Sequence, residues 1–292
     1  MKIAILGTGK MGGAMARRLA SCGFDLTLWN RTAAKAAELH VGSVAATPAE
    51  AVRNVDMVIS SLTNDAAVRD VYLGENGALG AAGNKLFIDT STAGPQIIEE
   101  LGREADARTA RLLSAPVLGS VPAIEAGKLL ILAGGERADF EQARPVLENL
   151  GEVRYVGERG NAQRLKLIAN SMLGVTTAAA AELLAAGTAV GLDREQVFSI
   201  LVRFAPGLAA REHGFLQNQH TPTMFAVRDL VKDLDLGVRA YGEAGVATPV
   251  TRQAHELFAG AMRESADLDI SAIGRRDTVT PSASPAVQGA SG

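Results

Sequence analysis

KIAILGTGKMGGAMARRLASCGFDLTLWN, residues 2–30, is the stretch on which the fold class turns. A short apolar run (KIAIL, 2–6) ends directly at Gly7-Thr8-Gly9-Lys10-Met11-Gly12. A helical pattern follows with Met11, Met15, Leu19 and Cys22 on one side, then Gly23 and a second strand, DLTLWN (25–30). This is GxGxxG in the context it requires, between a strand and a helix of a βαβ unit. Gly7 makes the tight turn, Gly9 lets a pyrophosphate approach the backbone, and Gly12 lets the helix pack on the strand. The helix N-terminus then offers free N–H groups and a positive dipole end to phosphates. Dinucleotide contacts are therefore expected at Gly7, Thr8, Gly9, Lys10, Met11 and Gly12. The bland alternative is a glycine turn that is merely tight.

The end of the second strand selects the dinucleotide. An NAD site usually places Asp or Glu there for the ribose hydroxyls, and that carboxylate repels a 2′-phosphate. Here the strand ends Asn30-Arg31-Thr32, with Lys35 one turn on. An amide, a guanidinium and a hydroxyl suit a phosphate dianion, so NADP is the expected cofactor. The alternative is that Arg31 simply opens the next helix in solvent.

Strand and helix signals then alternate to about residue 157. Thr47-Pro48-Ala49-Glu50 reads as a helix start with proline at its first position and a capping box. DMVISSL (56–62) and KLFIDTS (85–91) are buried strands, with Asn64 capping the helix between them. Ligands in open α/β sheets bind beyond the carboxyl ends of strands, which places Leu62-Thr63 and Ser91-Thr92 where nicotinamide ribose and substrate could meet. A helix at 94–106, a strand ending SAPVLGS (114–120), the run LLILAGG (129–135), a helix near 137–150 and a strand RYVG (154–157) complete this part.

From Gly160 only helical patterns remain. GNAQRLKLIANSMLGVTTAAAAELLAAGTAVG (160–191) would span roughly 45 Å as one helix and is apolar nearly all round, so it should be buried on several sides. Lys166 and Asn170, four apart, share one of its faces. Either they carry chemistry, or the lysine snorkels to solvent and the amide caps a neighbour's backbone. Further helices are expected at 194–204, from Phe225 to about 244, and at 249–264. The chain thus reads as an α/β protein: a doubly wound, Rossmann-type NADP-binding domain (1–160), an all-helical substrate and dimerisation domain (161–274) joined by the long bridging helix, and a Ser/Pro/Ala/Gly-rich tail (275–292).

Composition narrows the function. The chain has 292 residues, 47% hydrophobic but 4% aromatic, which predicts a core of aliphatics and alanine. A net charge of −3 and a pI near 5.9 give no electrostatic case for nucleic acid. Cys22 alone rules out an internal disulfide, fits a reducing compartment and is expected to be buried where its helix ends. The four histidines have no ligand spacing, so no metal is assigned. No run approaches the length of a membrane span and none looks like a signal peptide, so a soluble, cytoplasmic protein is expected.

Taken together, these residues resemble the β-hydroxyacid dehydrogenase family, which includes 3-hydroxyisobutyrate dehydrogenases, tartronate semialdehyde reductases and glyoxylate/succinic semialdehyde reductases. The likeness covers residues 1 to about 274 and is carried by GTGKMGGAMARRLASCG (7–23), DTSTAGP (89–95), APVLGSVPAIEAGKLLILAGG (115–135) and GNAQRLKLIAN (160–170). It implies that Lys166 is the catalytic lysine, Asn170 its partner, and Lys232 the residue that closes over nicotinamide and substrate. Phe225 and Asp233 fall where the glyoxylate/succinic semialdehyde reductase branch has substrate-side residues, and that branch tends to carry Asn-Arg-Thr after the second strand and to prefer NADPH. Three positions depart from the pattern: Leu118 replaces a serine that contacts substrate, Ala169 a frequent asparagine, and Ile270-Ser271 a Phe-Ser pair.

Carbonyl reduction needs a hydride at carbon and a proton at oxygen. A lysine near apolar walls can protonate that oxygen and stabilise the charge developing on it. Thr92 with Ser91, and Ser120 with the backbone around Gly119, could hold the rest of the substrate. With lysine and cofactor on different domains, catalysis would require closure, and the long apolar helix suggests a homodimer. Two other readings stand beside this one. An imine reductase shares the architecture but characteristically lacks the lysine, and Leu118 fits its apolar pocket. A non-catalytic NADP-binding module would make Lys166 and Asn170 incidental.

Overall fold

The computed structural model describes residues 1–275. All but the first residue of the expected tail lie outside the described residues. In chain order the elements are β1 (Lys2–Leu6), α1 (Lys10–Ser21), β2 (Asp25–Trp29), α2 (Ala33–Ala37), β3 (Ser43–Val44), α3 (Pro48–Val52), β4 (Met57–Ser60), α4 (Asp65–Leu73), β5 (Leu86–Asp89), α5 (Pro95–Ala107), β6 (Arg111–Ser114), β7 (Val117–Leu118), α6 (Val121–Glu125), β8 (Leu129–Ala133), α7 (Arg137–Leu147) and β9 (Gly151–Tyr155). Then come α8 (Arg159–Ala189), α9 (Arg194–Phe204), α10 (Glu212–Gln217), α11 (Val227–Glu243) and α12 (Pro249–Ser265).

Six parallel strands form a sheet in the order β3-β2-β1-β4-β5-β6. The order reverses between β1 and β4, so the crevice beyond their carboxyl ends is the expected ligand site of a doubly wound sheet. Strand pleating sends alternate residues to opposite faces. Ile3 and Ile5 of β1 join one apolar cluster with Leu26, Leu28, Met57 and Ile59, while Ala4 and Leu6 join the other with Val58 and Phe87. Both faces are covered, as a parallel sheet requires.

The helix starts follow the sequence. Thr47 Oγ1 accepts from Glu50 N at 3.1 Å, Asn64 Oδ1 from Ala67 N at 2.8 Å, and Asp193 Oδ1 from Gln196 N at 3.0 Å. The glutamate of the first cap reaches back one residue further than a capping box, to Ala46 N.

The strands after β6 do not extend the main sheet. They form a second one, β7-β8-β9, in which β7 and β8 are antiparallel. The link from Gly119 to Lys128 is too short for a parallel crossover, which takes a dozen residues or more. Cys22, expected inside, is exposed: it follows the last residue of α1, past the buried Met15 and Leu19.

By compactness the chain forms two units. One is Met1–Ser171 with Asp233–Thr248, and the other is Met172–Lys232 with the chain from Pro249, so the division falls inside α8 and α11. The second unit has its own small core of Ala180, Leu184, Phe198, Leu208 and Phe215. Contrary to the expectation of no such run, α8 is long and apolar enough to cross a membrane by length and composition alone, and half of the qualifying window is buried inside the protein. Its charges gather at Arg159, Arg164 and Lys166, leaving Glu182 alone in the remainder.

Candidate active site

The dinucleotide loop leaves β1 through Gly7, whose φ of +93° favours glycine. A methyl group added at Gly12 would lie 2.0 Å from the Gly7 carbonyl oxygen, whereas one added at Gly9 would meet nothing within 4 Å. Gly7 and Gly12 are therefore demanded by the fold itself. Gly9 is not, and the open space before it is a cradle that a side chain would fill. Beside it the hydroxyl of Thr8, a buried residue, has no hydrogen-bond partner. A bare backbone at a helix start and an unpaired buried donor fit an anionic cofactor.

Asn30 serves this loop from within. Its Oδ1 accepts from Thr8 N at 3.0 Å and its Nδ2 donates to Thr32 O at 3.0 Å, so both ends of the amide hold backbone. Arg31, Thr32 and Lys35 are exposed, as are Gly9 and Lys10.

Beyond β4 and β5 two loops are laced together. Thr90 N and Oγ1 both donate to Ser60 O, at 2.9 and 2.7 Å, and Gly94 N donates to Asp65 Oδ1 at 2.9 Å. Leu62 N donates to Ser91 Oγ at 2.9 Å, and Ser91 Oγ donates in turn to Asp89 Oδ2 at 3.2 Å. The Ser91 hydroxyl is thus engaged inside the protein, while Thr92 next to it is half-buried and Thr63 exposed.

Asp89 anchors this lacing and escaped the sequence reading. It is fully buried and also accepts from Ser60 Oγ at 2.7 Å and Ser91 N at 2.9 Å. Burial pushes its carboxyl above the ordinary carboxylate range, against hydrogen bonds that pull it down. Burial, reinforced by the Asp89 charge, likewise raises the Tyr72 phenol, which bonds Ser60. A carboxyl raised on folding is protonated more readily in the folded chain, so it withdraws stability as pH rises through its folded value. Replacing it by an amide removes that loss. The melting temperature of Asp89→Asn relative to wild type should therefore shift in the variant's favour between the ordinary carboxylate range and neutrality. A difference independent of pH would show the carboxyl to be unperturbed.

The start of α8 carries three buried polar residues on one face. Gln163, three residues before Lys166, donates through Nε2 to Ser91 O at 3.0 Å and Ser114 Oγ at 3.2 Å, and accepts from Ala93 N at 3.2 Å. It ties the helix to the 91–93 loop. Lys166, 9% exposed, donates from Nζ to Asn170 Oδ1 at 3.1 Å. Asn170 Nδ2 donates in turn to Asp233 Oδ2, on α11. The lysine thus sits in a defined place within the same compact unit as the dinucleotide loop, with its amide partner held by a buried carboxylate.

Leu118 is half-buried on β7, paired with Leu130 of β8. Gly119 has φ +133°, and a methyl there would come within 2.7 Å of Leu129 Cδ2. Ser120 is the N-cap residue of α6 but its side chain makes no capping bond. Lys232 and Phe225 belong to the second unit. There the buried Asp269 accepts from Phe225 N, Ser271 N and Arg211 Nε, all at 3.1 Å, and fixes the backbone around Phe225. Among the described residues no cluster of three or more metal-ligating side chains occurs.

Residues 2–157 match the model described as the NAD binding domain of 6-phosphogluconate dehydrogenase, and residues 160–276 that of the NAD-binding of NADP-dependent 3-hydroxyisobutyrate dehydrogenase. Glyoxylate/succinic semialdehyde reductase 1 of Arabidopsis thaliana is 32% identical over 94% of this chain and 97% of its own. The chain belongs to the β-hydroxyacid dehydrogenase family. A solved structure of Mycobacterium tuberculosis 3-hydroxyisobutyrate dehydrogenase with L-serine is similar at 29% identity, covering 93% of this chain and 97% of that one, with a TM-score of 0.79. An imine reductase from Myxococcus stipitatus in complex with NADP+ is 20% identical, covers 94% and 98%, and has a TM-score of 0.61; that likeness shows the fold alone. As a β-hydroxyacid dehydrogenase family member the protein is an NAD(P)-dependent oxidoreductase.

Proposed function

We propose that the protein is an NADPH-dependent reductase of small carbonyl compounds, with Lys166 as the proton donor. The observation that carries this is the buried chain Lys166–Asn170–Asp233, which runs from the start of α8 to α11. NADPH, when bound, supplies a hydride to the carbonyl carbon. Gly7–Gly12 would hold its pyrophosphate, and Arg31 and Lys35 its 2′-phosphate, where a carboxylate would favour NADH. Lys166 Nζ stabilises negative charge growing on the carbonyl oxygen and gives that oxygen its proton. Asn170 takes one ammonium hydrogen and so directs the others. Thr92 and Ser120 are the hydroxyls proposed to hold the rest of the substrate, with Ser91 shaping the loop.

The name of the plant relative supports semialdehydes as substrates. Leu118 modifies that choice. It offers no donor where the family's serine does, so a small polar acid would leave an oxygen unpaired at a cost of about 1–3 kcal/mol. An apolar substituent gains about 0.8 kcal/mol per buried methylene. The preferred substrate is accordingly an aldehyde or ketone with a hydrophobic portion. Leu118→Ser should raise kcat/KM for glyoxylate and lower it for the apolar substrate; an unchanged ratio would make Leu118 a packing residue only. Leu118 also favours a second reading, an imine reductase-like NADPH enzyme. Steady-state oxidation of NADPH and NADH over semialdehydes, glyoxylate and cyclic imines separates the two. NADPH is expected to outperform NADH with a carbonyl substrate; turnover of imines alone would favour the second reading, and equal efficiency with both cofactors would remove the NADPH preference.

A homodimer is part of the proposal. Leu165, Ile168, Met172 and Leu183 recur on α8 at helical spacing and are 41–64% exposed, an apolar stripe suited to a second copy of the chain.

A further inference from the structure

Between α1 and α2 lies a cleft whose lining includes Thr8, Lys10, Gly13, Arg17, Lys35 and Glu38. We infer that this cleft seats the 2′-phosphate of NADPH, with Thr8 Oγ1 and Arg17 among its ligands, so that the first helix and not only the end of the second strand discriminates between the cofactors. The inference rests on the proposed NADPH preference and assigns it to residues outside Asn30-Arg31-Thr32.

Four observations converge. Thr8 borders the cleft, and its hydroxyl is buried with no hydrogen-bond partner, a state that buried hydroxyls rarely keep without a ligand. Asn30 is already engaged with backbone at both ends of its amide, which leaves it at most one Nδ2 hydrogen for a phosphate. Arg17 and Lys35 reach the cleft from two different helices, are exposed, and form no ion pair with other described residues; with Lys10 they face a single carboxylate, Glu38. Gly13 leaves the cleft open although the fold does not demand glycine there, since an added methyl group would meet its nearest atoms at 3.4 Å. A phosphate dianion with an arginine, lysines and a hydroxyl donor around it is a charge-assisted site of ordinary chemistry. Arg17 lies two turns into α1, beyond reach of the helix-start pattern, and reads in sequence as a solvated face.

Calorimetric titration of 2′,5′-ADP and 5′-AMP into wild type, Arg17→Ala, Thr8→Val and Glu38→Gln tests this without turnover. Wild type should prefer 2′,5′-ADP. Arg17→Ala should weaken 2′,5′-ADP by roughly 10- to 100-fold and leave 5′-AMP unchanged, the unchanged ligand reporting a folded loop. Thr8→Val should act in the same direction and less, and Glu38→Gln should tighten 2′,5′-ADP alone. If wild type does not distinguish the two ligands, the NADPH preference itself is lost. If wild type distinguishes them and Arg17→Ala and Thr8→Val do so equally well, the preference stands and this assignment is overturned. Equal loss of both ligands in Arg17→Ala would place Arg17 on the 5′-phosphate and overturn it too.

Discussion

Lys166→Met should lower kcat by about 10²–10⁴ while leaving the dissociation constant of NADPH nearly unchanged. Methionine keeps most of the aliphatic stem of a side chain that is 9% exposed, so the packing of α8 is retained and the change is confined to the ammonium. What is lost is the proposed proton donor and its positive charge. Asn170→Ala should cost less, because the lysine keeps its charge and loses only the acceptor 3.1 Å away that orients it. Asp233→Asn leaves the Asn170 amide a neutral acceptor and should be milder again. Steady-state kinetics with the best substrate, with NADPH binding measured by calorimetry, checks the series. Near-full turnover by Lys166→Met would remove the lysine from the mechanism.

Two glycines of the dinucleotide loop should separate folding from binding. An added methyl at Gly12 overlaps the Gly7 carbonyl, an obstacle of rigid backbone. Overpacking of this kind costs about 1–3 kcal/mol, which in a chain of this size is a melting temperature lower by roughly 2–5 °C. Gly12→Ala should show that loss without any ligand present. Gly9→Ala should melt like wild type, since its methyl meets open space, yet gain little stability from added NADPH. Thermal melts of both variants with and without cofactor make the comparison. A Gly9→Ala protein stabilised by NADPH as strongly as wild type would mean that the cradle is not where the cofactor lies.

What could be read in the sequence had local causes. The glycine spacing, the alternation of apolar runs with caps at Thr47 and Asn64, and the i, i+4 pair on α8 all depend on neighbours within one turn or one strand. What could not be read depends on partners far along the chain. Gln163 looked like one polar residue among several at a helix start, and its three hydrogen bonds go to residues 49–72 positions away. Asp89 looked like part of a substrate motif and proves to be a buried anchor for Ser60 and Ser91. Asp269 lies 44 residues from the Phe225 backbone it holds. The second sheet was missed because apolar runs announce strands without saying which sheet they join. The exposure of Cys22 was missed because a helix pattern does not show where its last turn leaves the core.

Gln163 and Lys166 stand one turn apart on the same helix, the first bound to the loop beyond β5 and the second holding the ammonium proposed as proton donor. Three residues of α-helix advance about 4.5 Å, a length set by backbone hydrogen bonds rather than by the surrounding side chains. The helix therefore acts as a gauge block between loop and lysine. Its outward residues, Leu165 and Ile168 among them, can be exchanged for others without altering that dimension. A single inserted residue between positions 163 and 166 cannot be absorbed, because it would turn Lys166 and Asn170 together by about 100° relative to Gln163 and the loop it holds. Chemistry and surface on this stretch are free to change on separate terms: substitutions rewrite one, and only a change in chain length disturbs the other.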